Sequence, residues 1–213
     1  NLIYEDFCEK SSSHQKSILK FVRQVFQFAV ERGDVIRNPT PRLAFRVGDK
    51  IKKVLTEEQV RIFLNKAKDL EWEWYPHCVM AVYTGMRNGE LYALTWDKVN
   101  LTDRKIHVDC AWNNKDGFKS TKSGHERVVE IAPNLLPLLK ELKLTGAHFV
   151  LPRSREWDVG EQARFLRKFL MGLGLPAVRF HDLRATWATI MLSKGVPPTQ
   201  VMKMGGWKDM KTM

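Results

Sequence analysis

One run constrains the chain more than any other: Arg179-Phe-His-Asp-Leu-Arg-Ala-Thr-Trp-Ala-Thr189. It reads as the opening of a helix with two incompatible faces. His181 and Arg184 stand three apart, so they share one face and converge on a single small ligand. Leu183, Trp187, Ile190 and Met191 fall toward another face and belong in a core. Whether that cationic face forms a site is decided by whether partners for it exist elsewhere in the chain. Arg supplies a planar fork of donors and His can hold or move a proton, a pairing suited to a phosphate.

Composition agrees with an anionic partner. The 213 residues carry a net charge of +11 and a pI near 9.7, which points to a polyanion, most often nucleic acid. An apolar content of 44% is enough for a real core and excludes a disordered composition. Cys8, Cys78 and Cys110 are odd in number and in no metal-like spacing; they fit a reducing, cytoplasmic setting without disulfides. No apolar run reaches membrane-spanning length, no signal peptide is visible, and no ligand cluster for a metal is found, so neither a metal nor a cofactor is expected. The chain begins at Asn1, which suggests a fragment.

Read in order, Ser11-Ser12-Ser13 caps a helix to about Arg32, with Ile18, Val22, Val25, Phe26 and Ala29 as its stripe and Gly33 as its end. One such helix cannot bury its face alone and implies a larger helical unit. Asn38-Pro39-Thr40-Pro41 breaks the structure, and from Arg37 to Lys53 the chain is basic, Arg37, Arg42, Arg46, Lys50, Lys52 and Lys53 against the single acid Asp49. It reads either as a strap along DNA phosphates or as a solvated connector. Thr56 and Gln59 form a capping box for a helix buried through Val60, Phe63, Leu64 and Ala67. A helix from about Pro76 to Thr84 closes at Gly85, and Asn88 is positioned to cap a short one carrying Glu90. Lys105 to Trp112, Phe118 to Thr121 and Arg127 to Ile131 read as strands, the last two joined by a hairpin tip at Ser123-Gly124. Helices follow from Pro133, over roughly Val159 to Met171, from His181, and from Pro198 toward Met204. The fold class is α+β, mainly α, with a small antiparallel sheet.

Three segments can join His181 and Arg184. In Tyr83-Thr84-Gly85-Met86-Arg87-Asn88-Gly89-Glu90-Leu91, Arg87 opens a helix and Glu90 is placed to orient it. A polar, basic stretch, Lys119-Ser-Thr-Lys-Ser-Gly-His-Glu-Arg-Val-Val129, contains Lys119 and Lys122. Gly205-Gly206-Trp207 places an indole beside paired glycines, either as a core plug or as an N–H donor. Each has an ordinary structural reading: a surface ion pair, a solvated turn, a packed ring.

Together, in this order, the segments resemble the tyrosine recombinases, the phage integrase family. Its pattern T-G-x-R-x-x-E-L is met in full by Thr84 to Leu91, and H-x-L-R-x-T-x-A-T by His181 to Thr189. The resemblance implies a tyrosine-recombinase (DNA breaking-rejoining) catalytic fold over 55–213, preceded by a basic linker over 48–54. Residues 1–47 would be the C-terminal part of a helical, SAM-like core-binding domain. It implies a site-specific recombinase or integrase that cuts and rejoins double-stranded DNA through a 3′-phosphotyrosine, working as a homo-tetramer. Arg87, His181 and Arg184 would ligate the scissile phosphate, with Trp207 at a position that is His in most members. Glu90 would support Arg87. Lys122, five residues before Arg127, would be the general acid on the leaving 5′ oxygen, with Lys119 as the alternative.

The pattern also calls for a tyrosine nine residues after Trp207, at position 216, beyond Met213; Tyr4, Tyr75, Tyr83 and Tyr92 do not fit that role. Residues 1–213 are therefore expected to bind a phosphate without cleaving DNA. Gly205 stands where Leu is usual, and Glu130 where Pro is common. A non-catalytic DNA-binding protein of the same fold is the alternative, and a type IB topoisomerase, which shares the chemistry, is disfavoured by the motif order.

Overall fold

The computed structural model describes residues 10–45, 53–113, 115–120, 126–154, 157, 160–210 and 212–213. Arg46, Lys50, Lys52, Lys122 and the Ser123-Gly124 pair lie outside these residues. The chain divides into two compact units, Asn1–Ile51 and Lys52–Met213.

In the first unit, helix α1 (Ser12–Glu31) starts where Ser11 accepts from the His14 N–H and ends before Gly33, whose φ of 79° suits a residue without a side chain. No residue of α1 is buried, and Phe21, Val25 and Phe28 are exposed. The chain after it is pinned back by polar contacts. Asn38 donates to the Arg23 carbonyl at 2.9 Å, and Arg23 donates to the Thr40 carbonyl at 3.1 Å. Arg37 and Arg42 are exposed here, as is Lys53 in the second unit.

The second unit begins with α2 (Glu57–Asp69), whose capping box forms as read: Thr56 Oγ1 accepts from Gln59 N, and Gln59 Oε1 from Thr56 N. Helix α3 (Tyr75–Thr84) stops at Gly85 in the left-handed region, and α4 (Asn88–Ala93) follows at once. Arg87, not Asn88, takes the N-cap position, because Glu90 turns back to accept the Arg87 N–H at 2.7 Å.

Five short strands follow: β1 (Val99–Asn100), β2 (Lys105–Val108), β3 (Cys110–Asn113), β4 (Gly117–Ser120) and β5 (Arg127–Glu130). Helices α5 (Leu136–Lys143), α6 (Gln162–Gly172), α7 (Asp182–Ser193) and α8 (Pro198–Gly205) complete the described α-helices, with 3-10 turns at Trp96–Lys98 and Pro133–Leu135. Phe63, Met80, Leu91, Ile106, Leu139, Leu170 and Leu183 are fully buried, so one core joins helices and sheet. His77 belongs to it, bonded at 2.8 Å to the Pro152 carbonyl; burial lowers its pKa to about 4 and keeps it neutral.

The strand pairing corrects the sequence reading. The order is β1-β2-β5 in one sheet and β3-β4 in the other, so β4 and β5 are not partners. Val108 faces Arg127 and Cys110 faces Ser120, while Asn113 faces Gly117. The ribbon therefore turns at Asn113–Gly117, where Asn113 Oδ1 accepts from the Lys115 and Asp116 N–H groups and Gly117 takes φ 71°. Asp116-Gly117 is the stronger turn signal of the two. β4 ends at Ser120, opposite Cys110, and β5 starts at Arg127, opposite Val108.

Candidate active site

The two arginine motifs meet at Gly85. Its left-handed φ of 62° ends α3, and a Cβ there would run into the Trp187 ring of α7. That close approach brings Arg184, three residues before Trp187, against the turn, and Arg184 Nη1 donates to the Gly85 carbonyl at 2.7 Å. Two residues on, Arg87 leaves the same turn.

Glu90 organises the arginines. It is 2% exposed and accepts four bonds: from Arg87 N at 2.7 Å, Arg87 Nη1 at 2.8 Å, and the Arg127 fork at 2.9 and 2.6 Å. Burial works to raise its pKa, but the bonds and charge of Arg127, with the two bonds from Arg87, hold the carboxyl at about 2. Arg87 Nη2 continues to the Gly206 carbonyl at 2.6 Å, and Arg127 Nε to the Met204 carbonyl at 3.0 Å. The end of α8 is thereby tied to the starts of α4 and β5.

Arg184 has no such carboxylate. It is 3% exposed, and its Nη2 finds no acceptor among the described residues. Its guanidinium lies 3.8 Å over the Trp207 ring, which stacks in turn on Trp187. Burial, reinforced by the Arg87 charge and opposed by Glu90, pulls its pKa down to about 9. It stays cationic at neutral pH, in a place that an anion would relieve.

His181 occupies the N-cap position of α7, makes no capping bond with its side chain, and is exposed. Its pKa is lowered by partial burial and by the Arg184 charge, with Asp182 opposing and Arg179 and Arg87 adding to the fall. The backbone around it is fixed by Asp182, a buried carboxylate that accepts from Arg179 N, Nε and Nη2 at 2.8, 3.0 and 2.9 Å. Thr186 adds a tie, accepting from Leu55 N and donating to the Asp182 carbonyl.

Arg87 and Glu90 are thus paired directly and Arg184 is stacked on Trp207; Arg87 reaches the Gly206 carbonyl beside Trp207, Arg184 reaches the Gly85 carbonyl two residues before Arg87, and His181 lies within the field of both arginines. Lys119 sits on β4, its Nζ 2.5 Å from Asp116 at the ribbon turn. Lys122 lies outside the described residues.

The model of the phage integrase family matches residues 53–213. The chain belongs to that family. An XerC-like tyrosine recombinase of Caldanaerobacter subterraneus is 26% identical over 236 residues, covering 92% of this chain and 60% of the relative. The chain thus spans less than two thirds of that protein's length. Among solved structures, the Tn1549 transposon integrase in complex with a circular intermediate DNA superposes with a TM-score of 0.81. It shares 16% identity, over 99% of this chain and 76% of that one. A lambda integrase tetramer bound to a Holliday junction gives 0.74, with 18% identity over 99% and 62%. At such identities the likeness shows the fold, an α+β catalytic domain.

Within this chain, two departures from the family pattern explain each other. A Cβ on Gly205 would run into the Trp207 ring, so the small residue makes room for the large one. Gly206, at φ 70°, turns its carbonyl toward Arg87 and lies against the Arg127 side chain.

Sequence reasoning uses Arg127 only to place Lys122. Its part in the site is larger: its side chain is 9% exposed and gives Glu90 a second cation. A signal for this exists in the sequence, since a carboxylate in the middle of an apolar helix face needs more than one partner to stay charged.

Proposed function

We propose that this chain is the catalytic part of a site-specific DNA recombinase that cuts and rejoins duplex DNA through a 3′-phosphotyrosine. The observation that carries this reading is the arginine imbalance. Arg87 and Arg127 share one carboxylate, and the buried Arg184 has an Nη2 with no acceptor among the described residues. This arrangement suits an anion that arrives from outside, and a phosphodiester in an attacking geometry is such an anion.

Attack on the phosphorus builds negative charge on the non-bridging oxygens. Donors fixed in advance stabilise that charge more in the transition state than in the ground state. Arg87 and Arg184 take the two oxygens, His181 and Trp207 add N–H donors, and Glu90 with Arg127 keeps Arg87 in place. A tyrosine at position 216 would attack, and the covalent ester would conserve the bond energy for rejoining. A lysine of the β-ribbon arm, Lys122 or else Lys119, would protonate the leaving 5′ oxygen. Residues 1–47 would be the end of a core-binding domain, and Arg37, Arg42, Arg46, Lys50, Lys52 and Lys53 a strap along the phosphates. The lambda integrase tetramer supports an assembly of four copies on DNA, which would work in the cytoplasm.

Residues 1–213 alone hold no tyrosine after α7, so on this reading they seat a phosphate without cutting. The test uses the whole gene product. Arg184→Ala should abolish covalent protein–DNA adducts, a loss of about 10²- to 10³-fold or more, while leaving most DNA binding. Unchanged cleavage by that variant sinks the assignment.

A further inference from the structure

The outer half of the β-ribbon has little to hold it. Among the described residues β3 and β4 pair with each other and not with β1-β2-β5, from which Asp109 separates β3. An isolated two-stranded ribbon is marginal in water, so its position depends on what it docks against. Two features dock it. A Cβ on Gly89 would run into the Trp112 carbonyl, so β3 lies directly on the backbone of α4. The other is Arg153.

The Arg153 guanidinium is boxed by four aromatic rings from four segments. Its Cζ lies 3.7 Å from the Phe149 ring centre, 4.1 Å from Tyr92 on α4, 5.3 Å from Trp112 on β3 and 5.6 Å from Phe118 on β4. Trp112 and Phe118 are direct cross-strand partners and meet edge to face. Phe118 stacks on Phe149, whose backbone bridges Thr95 beyond the end of α4. Arg153 Nη2 donates to the Tyr92 carbonyl at 3.2 Å, fixing the plane of the fork. The cation therefore bolts both strands of the ribbon to the helix that begins at Arg87 and carries Glu90. A planar cation attracted to several ring faces suits this position, which a point-like ammonium or a neutral side chain would fill poorly.

We propose that Arg153 is a positioning residue for proton transfer: its aromatic box sets the β3–β4 ribbon, with Lys119 on β4, against the Arg87 helix. This inference rests on the recombinase reading above. In the step concerned, a tyrosine oxygen bonds to phosphorus, the bond from phosphorus to the 5′ oxygen breaks, and that oxygen takes a proton from the lysine ammonium. Arg153 touches none of the reacting atoms.

The test separates positioning from support of the fold. Single-turnover adduct formation by the whole gene product is measured on ordinary duplex DNA and on the same duplex with sulfur in place of the 5′ bridging oxygen. A thiolate leaves without a proton, so that substrate needs no general acid. Arg153→Met should slow cleavage of the ordinary substrate by about 10-fold or more, within the range general acid catalysis supplies. It should cut the sulfur substrate within about twofold of the unaltered protein, the proton being dispensable there. Arg153→Lys should fall between them on ordinary DNA. Equal losses on both substrates, or no loss on either, overturn the proposal. If Arg153→Met does not fold, Phe118→Leu, which thins one exposed wall of the box, should show the same substrate-dependent loss to a smaller degree. If the unaltered protein forms no adduct on either substrate, the recombinase reading itself fails; cleavage by the unaltered protein with an equally active Arg153→Met overturns only the role given to Arg153.

Discussion

Glu90→Gln isolates the charge at the centre of the arginine cluster without changing its shape. The wild-type carboxylate accepts four bonds from two guanidiniums and a backbone N–H. An amide keeps one oxygen and turns an NH2 group toward donors, so at least two charge-assisted bonds are lost, each worth about 1.5–3 kcal/mol. Linkage gives a similar size: moving the pKa from 4.5 to about 2 corresponds to roughly 3 kcal/mol at neutral pH. Removing one partner of a buried ion pair costs about 3–5 kcal/mol in general, because the other charge stays behind. The variant should therefore be less stable by about 3–5 kcal/mol at pH 7, or roughly 10 °C in Tm for a unit of this size. The pH dependence has a definite sign. A carboxyl whose folded pKa is depressed stabilises above its unfolded value and loses that contribution as pH falls. The gap between wild type and variant should thus be full above about pH 5 and close as pH falls from 4.5 toward 2. Denaturant melts of residues 1–213 at several pH values measure it. A gap under about 1 kcal/mol at pH 7, or one that does not narrow in acid, would refute the reasoning, since buried pairs broken on one side cost more than that.

Two further outcomes follow from the same geometry. Gly205→Leu alone should displace Trp207 from beneath Arg184 and lower adduct formation, whereas Gly205→Leu combined with Trp207→His should recover part of it; equal defects in single and double variants would break the link between the two positions. Binding of residues 1–213 to duplex DNA should weaken steeply with salt, and replacing Arg37, Arg42, Arg46, Lys50, Lys52 and Lys53 by Ser should flatten the log–log slope by up to about 0.9 for each phosphate no longer neutralised. An unchanged slope would make that stretch a mere connector.

Much of this site is legible in the sequence because its chemistry is local. The capping box at Thr56 and Gln59 and the stop at Gly85 depend on residues within a few positions of one another. The less legible parts depend on pairing at a distance. The sequence reading puts the ribbon turn at Ser123-Gly124 although Asp116-Gly117 makes it, because strand register is settled by packing on α4, which local turn patterns do not report. The pairing of Arg127 with Glu90 escapes it for the same reason: 37 residues separate them, and only the fold brings them together. The match of Gly205 to Trp207 is visible as two departures from a pattern, yet its cause is a ring lying over a backbone.

The central claim, that Arg87, His181, Arg184 and Trp207 form a seat for a phosphodiester under attack, is tested most directly by trapping the product. The whole gene product is incubated with the DNA that flanks its gene, and the denatured mixture is searched for a covalent adduct. The account predicts a protein joined to a 3′-phosphate through a tyrosine at position 216, formed by the unaltered protein and absent in Arg184→Ala. An adduct through any other residue, or one that persists undiminished in Arg184→Ala, would contradict it.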